Sequence, residues 1–193
     1  MKLIRINESQ KYRLFEAYNS DLYHFTNLEG IKGILSSNCL SAVEDPDEET
    51  EVLCFSRTKN PYIGYSPFGN LIYRITIDTN KALSSIHNFK TEPWSNNNPR
   101  TKRIGKKYFS VSDFEERSYA SVYPLNKYCK SIDVFTQNPN DWIYQEDVFE
   151  IQNLINEFPQ WRNYFHIFGN NTKKIDIETI LKLDRTKLDN VES

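Results

Sequence analysis

Hydrophobic and polar positions along this chain fall into short runs whose period changes several times. Ile6 precedes Asn7-Glu-Ser-Gln10, and Leu14, Phe15 and Tyr18 follow on one helical face. A capping box with its apolar stripe predicts a short N-terminal helix. Asp21 to Phe25 switches to period two, with Leu22 and His24 on one face and Tyr23 and Phe25 on the other, which predicts a strand. Thr26-Asn-Leu-Glu29 reads as a second capping box, and Leu28, Ile31, Ile34 and Leu35 form the stripe of the next helix. An acidic loop, Glu44 to Glu51, leads into a short buried strand from Val52 to Ser56.

Leu71 to Ile77 is the clearest strand: Leu71, Tyr73, Ile75 and Ile77 face one way, and Ile72, Arg74, Thr76 and Asp78 the other. Hydrophobicity drops between Lys90 and Lys107, which predicts a long loop around Trp94. Strand-like pieces follow at Arg117 to Val122 and Ser131 to Phe135. Gln145 to Phe158 has a helical stripe of Val148, Ile151, Ile155 and Phe158, and Phe165 to Phe168 reads as a strand. The stretch from Thr172 to Asp184 carries Ile177, Ile180 and Leu181 at helical spacing. With no internal repeat, the sum is one α+β domain, helices early and late and a mostly antiparallel sheet between.

Composition adjusts this picture. The 193 residues suffice for one core without disulfides or metal. Aromatic residues, 12 Tyr, 12 Phe and 3 Trp, make up 14% of the chain, and their abundance favours sheet. A net charge of −2 gives no global reason to expect a nucleic-acid or membrane partner. Cys39, Cys54 and Cys129 are scattered and odd in number, which reads as reduced thiols in a cytoplasmic protein. No apolar run approaches the length of a membrane span, and the opening Met1-Lys-Leu-Ile-Arg-Ile-Asn lacks a signal peptide's apolar centre.

Several chemistries find no support. His24, His87 and His166 stand far apart and outside any Cys/His cluster, so no metal site is expected. There is no phosphate-loop or dinucleotide glycine pattern and no nucleophile elbow. The candidates that remain have plain readings beside functional ones. His24 suits a partly buried imidazole satisfied by a backbone carbonyl, and Thr26 suits a helix N-cap. Ser56-Arg57-Thr58, with Tyr62 and Tyr65 beyond, suits turn chemistry, or a cation for phosphates beside an aromatic platform. Glu115 and Glu116 are adjacent, so on a strand only one of them enters a given cleft. One carboxylate would stabilise an oxocarbenium-like sugar, or the pair is solvated and bonded to Arg117. Lys90, Arg100, Lys102, Arg103, Lys106 and Lys107, with Trp94 and Tyr108, suit a nucleic-acid backbone, an acidic protein or plain solvation.

Three blocks in order carry a resemblance: Tyr23-His24-Phe25-Thr26, Cys54-Phe55-Ser56-Arg57-Thr58-Lys59-Asn60 and Phe114-Glu115-Glu116-Arg117-Ser118. Together they resemble the ADP-ribosyltransferase fold, particularly its small toxin-like and phage-encoded members. The resemblance implies a split, mostly antiparallel sheet core flanked by helices. It implies residues 1–20 as an N-terminal helix or leader, 21–185 as the ADP-ribosyltransferase-like domain and 186–193 as a polar tail. NAD is the implied substrate, with no metal, and ADP-ribose would pass to a macromolecular acceptor, protein or nucleic acid. His24 would bind NAD with Thr26 close by, and Ser56 and Arg57 would line the cleft. Tyr62 or Tyr65 would stack on nicotinamide, and Glu115 would be the catalytic carboxylate with Glu116 as the fallback. Asp113 stands two places before Glu115, where some transferases carry a residue that selects the acceptor, so the acceptor stays open.

The opening residues and Leu14-Phe15-Glu16 resemble leaders on tailed-phage proteins, which implies a phage-encoded protein in the host cytoplasm or the virion. The alternative is a non-catalytic phage virion or host-interaction protein that keeps the fold. RNA 2′-phosphotransferase chemistry on the same fold would need several basic residues converging on a phosphate, of which only Arg57 is in view.

Overall fold

The computed structural model describes residues 21–45, 50–64, 70–93, 101–104, 107–110, 115–137, 143–169 and 173–183. The first half of the chain forms β1 (Leu22–Thr26), α1 (Leu28–Ser37), β2 (Val43–Asp45), β3 (Thr50–Ser56), α2 (Pro61–Gly64), β4 (Leu71–Ile77) and α3 (Thr79–Ser85). Then come β5 (Glu92–Pro93), β6 (Thr101–Ile104), β7 (Lys107–Ser110), β8 (Glu115–Ser118), α4 (Leu125–Tyr128) and β9 (Cys129–Thr136). The described chain closes with α5 (Gln145–Glu157), β10 (Phe165–Phe168), β11 (Lys174–Ile175) and α6 (Ile177–Leu181).

Nine strands make one sheet in the order β11-β10-β9-β4-β1-β3-β8-β5, with β2 added on β3, while β6 and β7 pair separately. Its pairs are antiparallel except β9 with β10. This is the α+β class that the periodicities predict. β4 sits at the centre because both its faces are apolar: six of its seven residues are buried. On one face Leu22, Tyr73, Ile75, Ile77, Ile132 and Val134 meet Ile31 and Leu35 of α1 and Ile151, Leu154 and Ile155 of α5. Fully burying such a side chain contributes about 1.5–3 kcal/mol, so this layer dominates stability.

The reverse face is smaller and aromatic, with Phe25, Ile72 and Phe135 packed against Tyr23, Tyr62 and Phe168. Phe135 and Phe168 stack with centroids 4.8 Å apart. Arg74 enters this layer because Asp133 neutralises it, Nε donating to Oδ2 at 3.0 Å. Its guanidinium lies 4.8 Å from the Phe135 ring centre and 5.4 Å from that of Tyr23. Asp133 also accepts from His166 Nδ1 at 3.1 Å and Ser131 Oγ at 3.3 Å. Buried charge is tolerated here because every carboxylate oxygen has donors.

Several sequence expectations shift by a residue or an element. Thr26 ends β1, and Asn27 is the N-cap of α1, its Oδ1 accepting from the Gly30 amide at 2.9 Å. The acidic segment Glu44 to Glu51 is not wholly a loop: Glu44 pairs with Glu51 where β2 adds an edge to β3. Val43 lies opposite Val52; of these four residues only Val52 is buried, while Val43, Glu44 and Glu51 are exposed. Asp78 caps α3, which its strand-like alternation had hidden. The strand at Arg117 ends at Ser118, and Val122 forms only an isolated bridge to Leu40. Within the expected loop Lys90 to Lys107, β5 and β6 are regular. The expected N-terminal helix, Tyr65, Trp94 and Asp113 lie outside the described residues.

Candidate active site

The site begins where two neighbouring strands part. β1 and β4 share five registered pairs, from Leu22 opposite Ile77 to Thr26 opposite Tyr73. β1 and β3 share one, Tyr23 opposite Ser56. Past that pair the Cys54 carbonyl of β3 takes a side chain of β1: His24 Nδ1 donates to it at 3.0 Å. A carbonyl only accepts, so Nδ1 carries the hydrogen and Nε2 is left as an acceptor. Burial pulls the His24 pKa below the usual histidine value, against the upward pull of the Cys54 hydrogen bond. The imidazole is therefore neutral at pH 7.

A cleft of about 430 Å³ opens between the parted strands and α1, lined among others by His24, Thr26, Gly30, Gly33 and Ser37. Residues 30, 33 and 37 recur at helical spacing, so one face of α1 forms its wall. The two glycines act differently. A Cβ on Gly30 would lie 1.9 Å from Thr26 Oγ1, so any other residue there would force the threonine side chain or the helix to shift. A Cβ on Gly33 would meet nothing within 4 Å and would point into open space.

Register decides which glutamate shares the face of His24. Phe55 lies opposite Glu116 and Ser56 opposite Glu115. Because Tyr23 is opposite Ser56, the row Tyr23, Ser56, Glu115 occupies one face and His24, Phe55, Glu116 the other. The His24 and Phe55 rings meet edge to face at 6.3 Å. Two strand spacings put the backbones of His24 and Glu116 roughly 10 Å apart. Glu116 is buried, with Oε1 3.1 Å from Arg57 Nε. Arg57 Nη2 donates to Thr91 Oγ1 at 3.1 Å. Glu115 is half-buried, 3.6 Å from Arg117 Nε.

His24 and Thr26 thus border the cleft, while Glu116, on the sheet face of His24, and its partner Arg57 are not among the residues that line it. Ser56 is buried at the turn, its Oγ accepting from the Thr58 amide at 3.2 Å. Tyr62 packs on the aromatic cluster of the reverse face, away from His24. Sequence reading gave no role to Phe55, Thr91 or the two glycines of α1. The Gly30-x-x-Gly33 spacing was a usable signal for a helix face kept free of side chains. Among the described residues, no three His, Cys, Asp or Glu side chains group as a metal site, and no helix is long and apolar enough to cross a membrane.

No family model and no curated protein matches the chain. Two solved structures are similar to it: Thermus sp. 2.9 DarT in complex with NAD+, and the same protein in complex with carba-NAD+. Each superposes with a TM-score of 0.45 and 14% identity, covering 78% of this chain and 96% or 95% of its own. At that distance, the roles of residues rest on the geometry of this chain.

Proposed function

We propose that this protein is an NAD-dependent ADP-ribosyltransferase acting on a macromolecular acceptor, in the phage-encoded setting its opening residues suggest. One observation carries the reading: strand register puts His24, Phe55 and Glu116 on one sheet face across β1, β3 and β8, and His24 borders the cleft where β1 and β3 part.

NAD would enter that cleft. The His24 Nε2 lone pair accepts a hydrogen bond from a ribose hydroxyl or the nicotinamide amide, and Arg57 faces the diphosphate. Glu116 holds the ribose 2′-hydroxyl and lies near C1′. As the C1′–N1 bond breaks, its electron pair goes to the nicotinamide nitrogen and cancels the ring charge. The sugar becomes oxocarbenium-like, and a fixed carboxylate in a water-poor site stabilises that charge. The acceptor nucleophile then bonds C1′ and gives up its proton. Glu116 takes the catalytic role rather than Glu115 because it shares the face of His24.

A second reading, a non-catalytic virion or host-interaction protein, draws on the ion pair that occupies Glu116. Calorimetry with NAD and a non-hydrolysable analogue separates the two. Binding of both, weakened by His24→Ala, supports the transferase; no heat at millimolar ligand supports the binding protein.

A further inference from the structure

We infer that His24 makes the cleft selective for charge: it admits a dinucleotide that offers an uncharged hydrogen-bond donor there and excludes one that brings an anion. This rests on NAD entering the cleft, as in the transferase reading above. Two anionic relatives of NAD share the excluded chemistry. One carries a carboxylate in place of the nicotinamide amide, the other a phosphate on the adenosine 2′-oxygen.

The direction of one hydrogen bond sets the rule. The Cys54 carbonyl, 3.0 Å away, fixes the proton of His24 on Nδ1. Nε2 has no partner among the described residues and in this tautomer only accepts. An amide or a hydroxyl supplies the missing hydrogen. A carboxylate or phosphate oxygen brings another lone pair to the same point and leaves both acceptors unsatisfied. Thr26 lies two residues on along the same strand face, nine-tenths buried, and its hydroxyl also has no partner among the described residues. That group is uncharged too. Among the described residues that line the cleft, none is Asp, Glu, Lys or Arg. An anion entering it would lose water and gain no countercharge.

Acid reverses the rule. Protonated Nε2 donates and carries charge, so an anionic dinucleotide gains where NAD loses. Desolvation holds that protonation below the usual histidine range. Around His24, β4 carries Ile75 and Tyr73, whose hydroxyl is held by Glu150. On α1, Lys32 is 3.4 Å from Glu157 and Glu29 is exposed, and on β8 Glu116 is paired with Arg57. Cys39 and Cys54 border the cleft, and thiols do not titrate in acid.

Calorimetry of the full chain with NAD, nicotinic acid adenine dinucleotide and NADP, at pH 8 and pH 5, tests this. Both analogues keep a negative charge at pH 5. At pH 8 NAD should bind at least about a hundredfold tighter than the analogue whose charge meets His24. The carboxylate arm reports the amide on His24, and the phosphate arm reports the ribose hydroxyl. At pH 5 the ratio should narrow by about tenfold or more, with NAD weaker and that analogue tighter. His24→Gln, whose amide both donates and accepts, should narrow it at pH 8 and remove the pH dependence. The wild-type pH pair covers a folding failure of that variant. Equal affinity for all three at pH 8, or a ratio that neither acid nor His24→Gln moves, overturns selection by His24. NAD release of nicotinamide is followed in parallel: water bonds C1′ and loses a proton while the pair of the broken C1′–N1 bond leaves with nicotinamide. Selective binding without that release overturns the transferase reading alone. No binding of NAD at millimolar concentration overturns both.

Discussion

Replacing the two glycines of α1 separates a ligand cleft from a packing gap. At Gly33 a new Cβ meets nothing within 4 Å, so alanine there gains helix propensity at no steric cost. Glycine to alanine in a helix interior is worth about 0.8–1.0 kcal/mol. For a chain of this size, 1 kcal/mol raises Tm by about 2–4 °C. At Gly30 the same substitution puts a Cβ 1.9 Å from Thr26 Oγ1. Overpacking costs typically 1–3 kcal/mol, so the propensity gain is cancelled or reversed and Tm falls. Gly33→Leu should therefore stay folded while its side chain fills part of the 430 Å³ opening. Its affinity for NAD, read by calorimetry, should drop at least about tenfold, or 1.4 kcal/mol. A folded Gly33→Leu protein that binds NAD as wild type does would refute the placement of the ligand.

Two further outcomes follow from ionisable groups. The His24 pKa is depressed in the folded state, so its contribution to stability is fully present above the unfolded value of 6.5 and is lost as pH falls through the folded value. Denaturation midpoints should fall with acid below that point, and fall less in His24→Gln; equal slopes would contradict a desolvated, neutral imidazole. NAD affinity should weaken over the same range, because protonated Nε2 no longer accepts. In the core, Tyr73 Oη donates to Glu150 Oε1 at 2.9 Å, and burial raises the pKa of both groups. For Glu150 that contribution is present at low pH and lost as pH rises through its folded value. Tyr73→Phe should cost about 0.5–1.5 kcal/mol in urea unfolding, the usual net worth of one hydrogen bond; an unchanged midpoint would contradict the contact.

Local pattern made some of this molecule legible and long-range pairing hid the rest. The strict alternation of Leu71 to Ile77 matched β4 residue for residue, because a central strand buried on both faces admits few other readings. Thr26 and Asn27 are both good caps, and only the entry of the chain from β1 decides that Asn27 takes the role. The roles of Glu115 and Glu116 depend on how β8 registers on β3, and a one-residue slip would exchange their faces. No local pattern carries that register. Arg57 meets Thr91 and Glu116 across long stretches of chain, so the ion pair was invisible until the strands were placed. Tyr62 stood in the right order for a stacking ring, but the turn after β3 sends it to the reverse face.

The central claim is that a carboxylate on the face of His24 works on the ribose of NAD. Nicotinamide release by Glu116→Gln and Glu115→Gln, each shown by circular dichroism to be folded, tests it most directly. Losing one such electrostatic contact costs about 3 kcal/mol, so Glu116→Gln should be slower by about a hundredfold while Glu115→Gln stays near wild type. Loss of activity in Glu115→Gln with Glu116→Gln unaffected, or activity surviving both changes, would contradict the account.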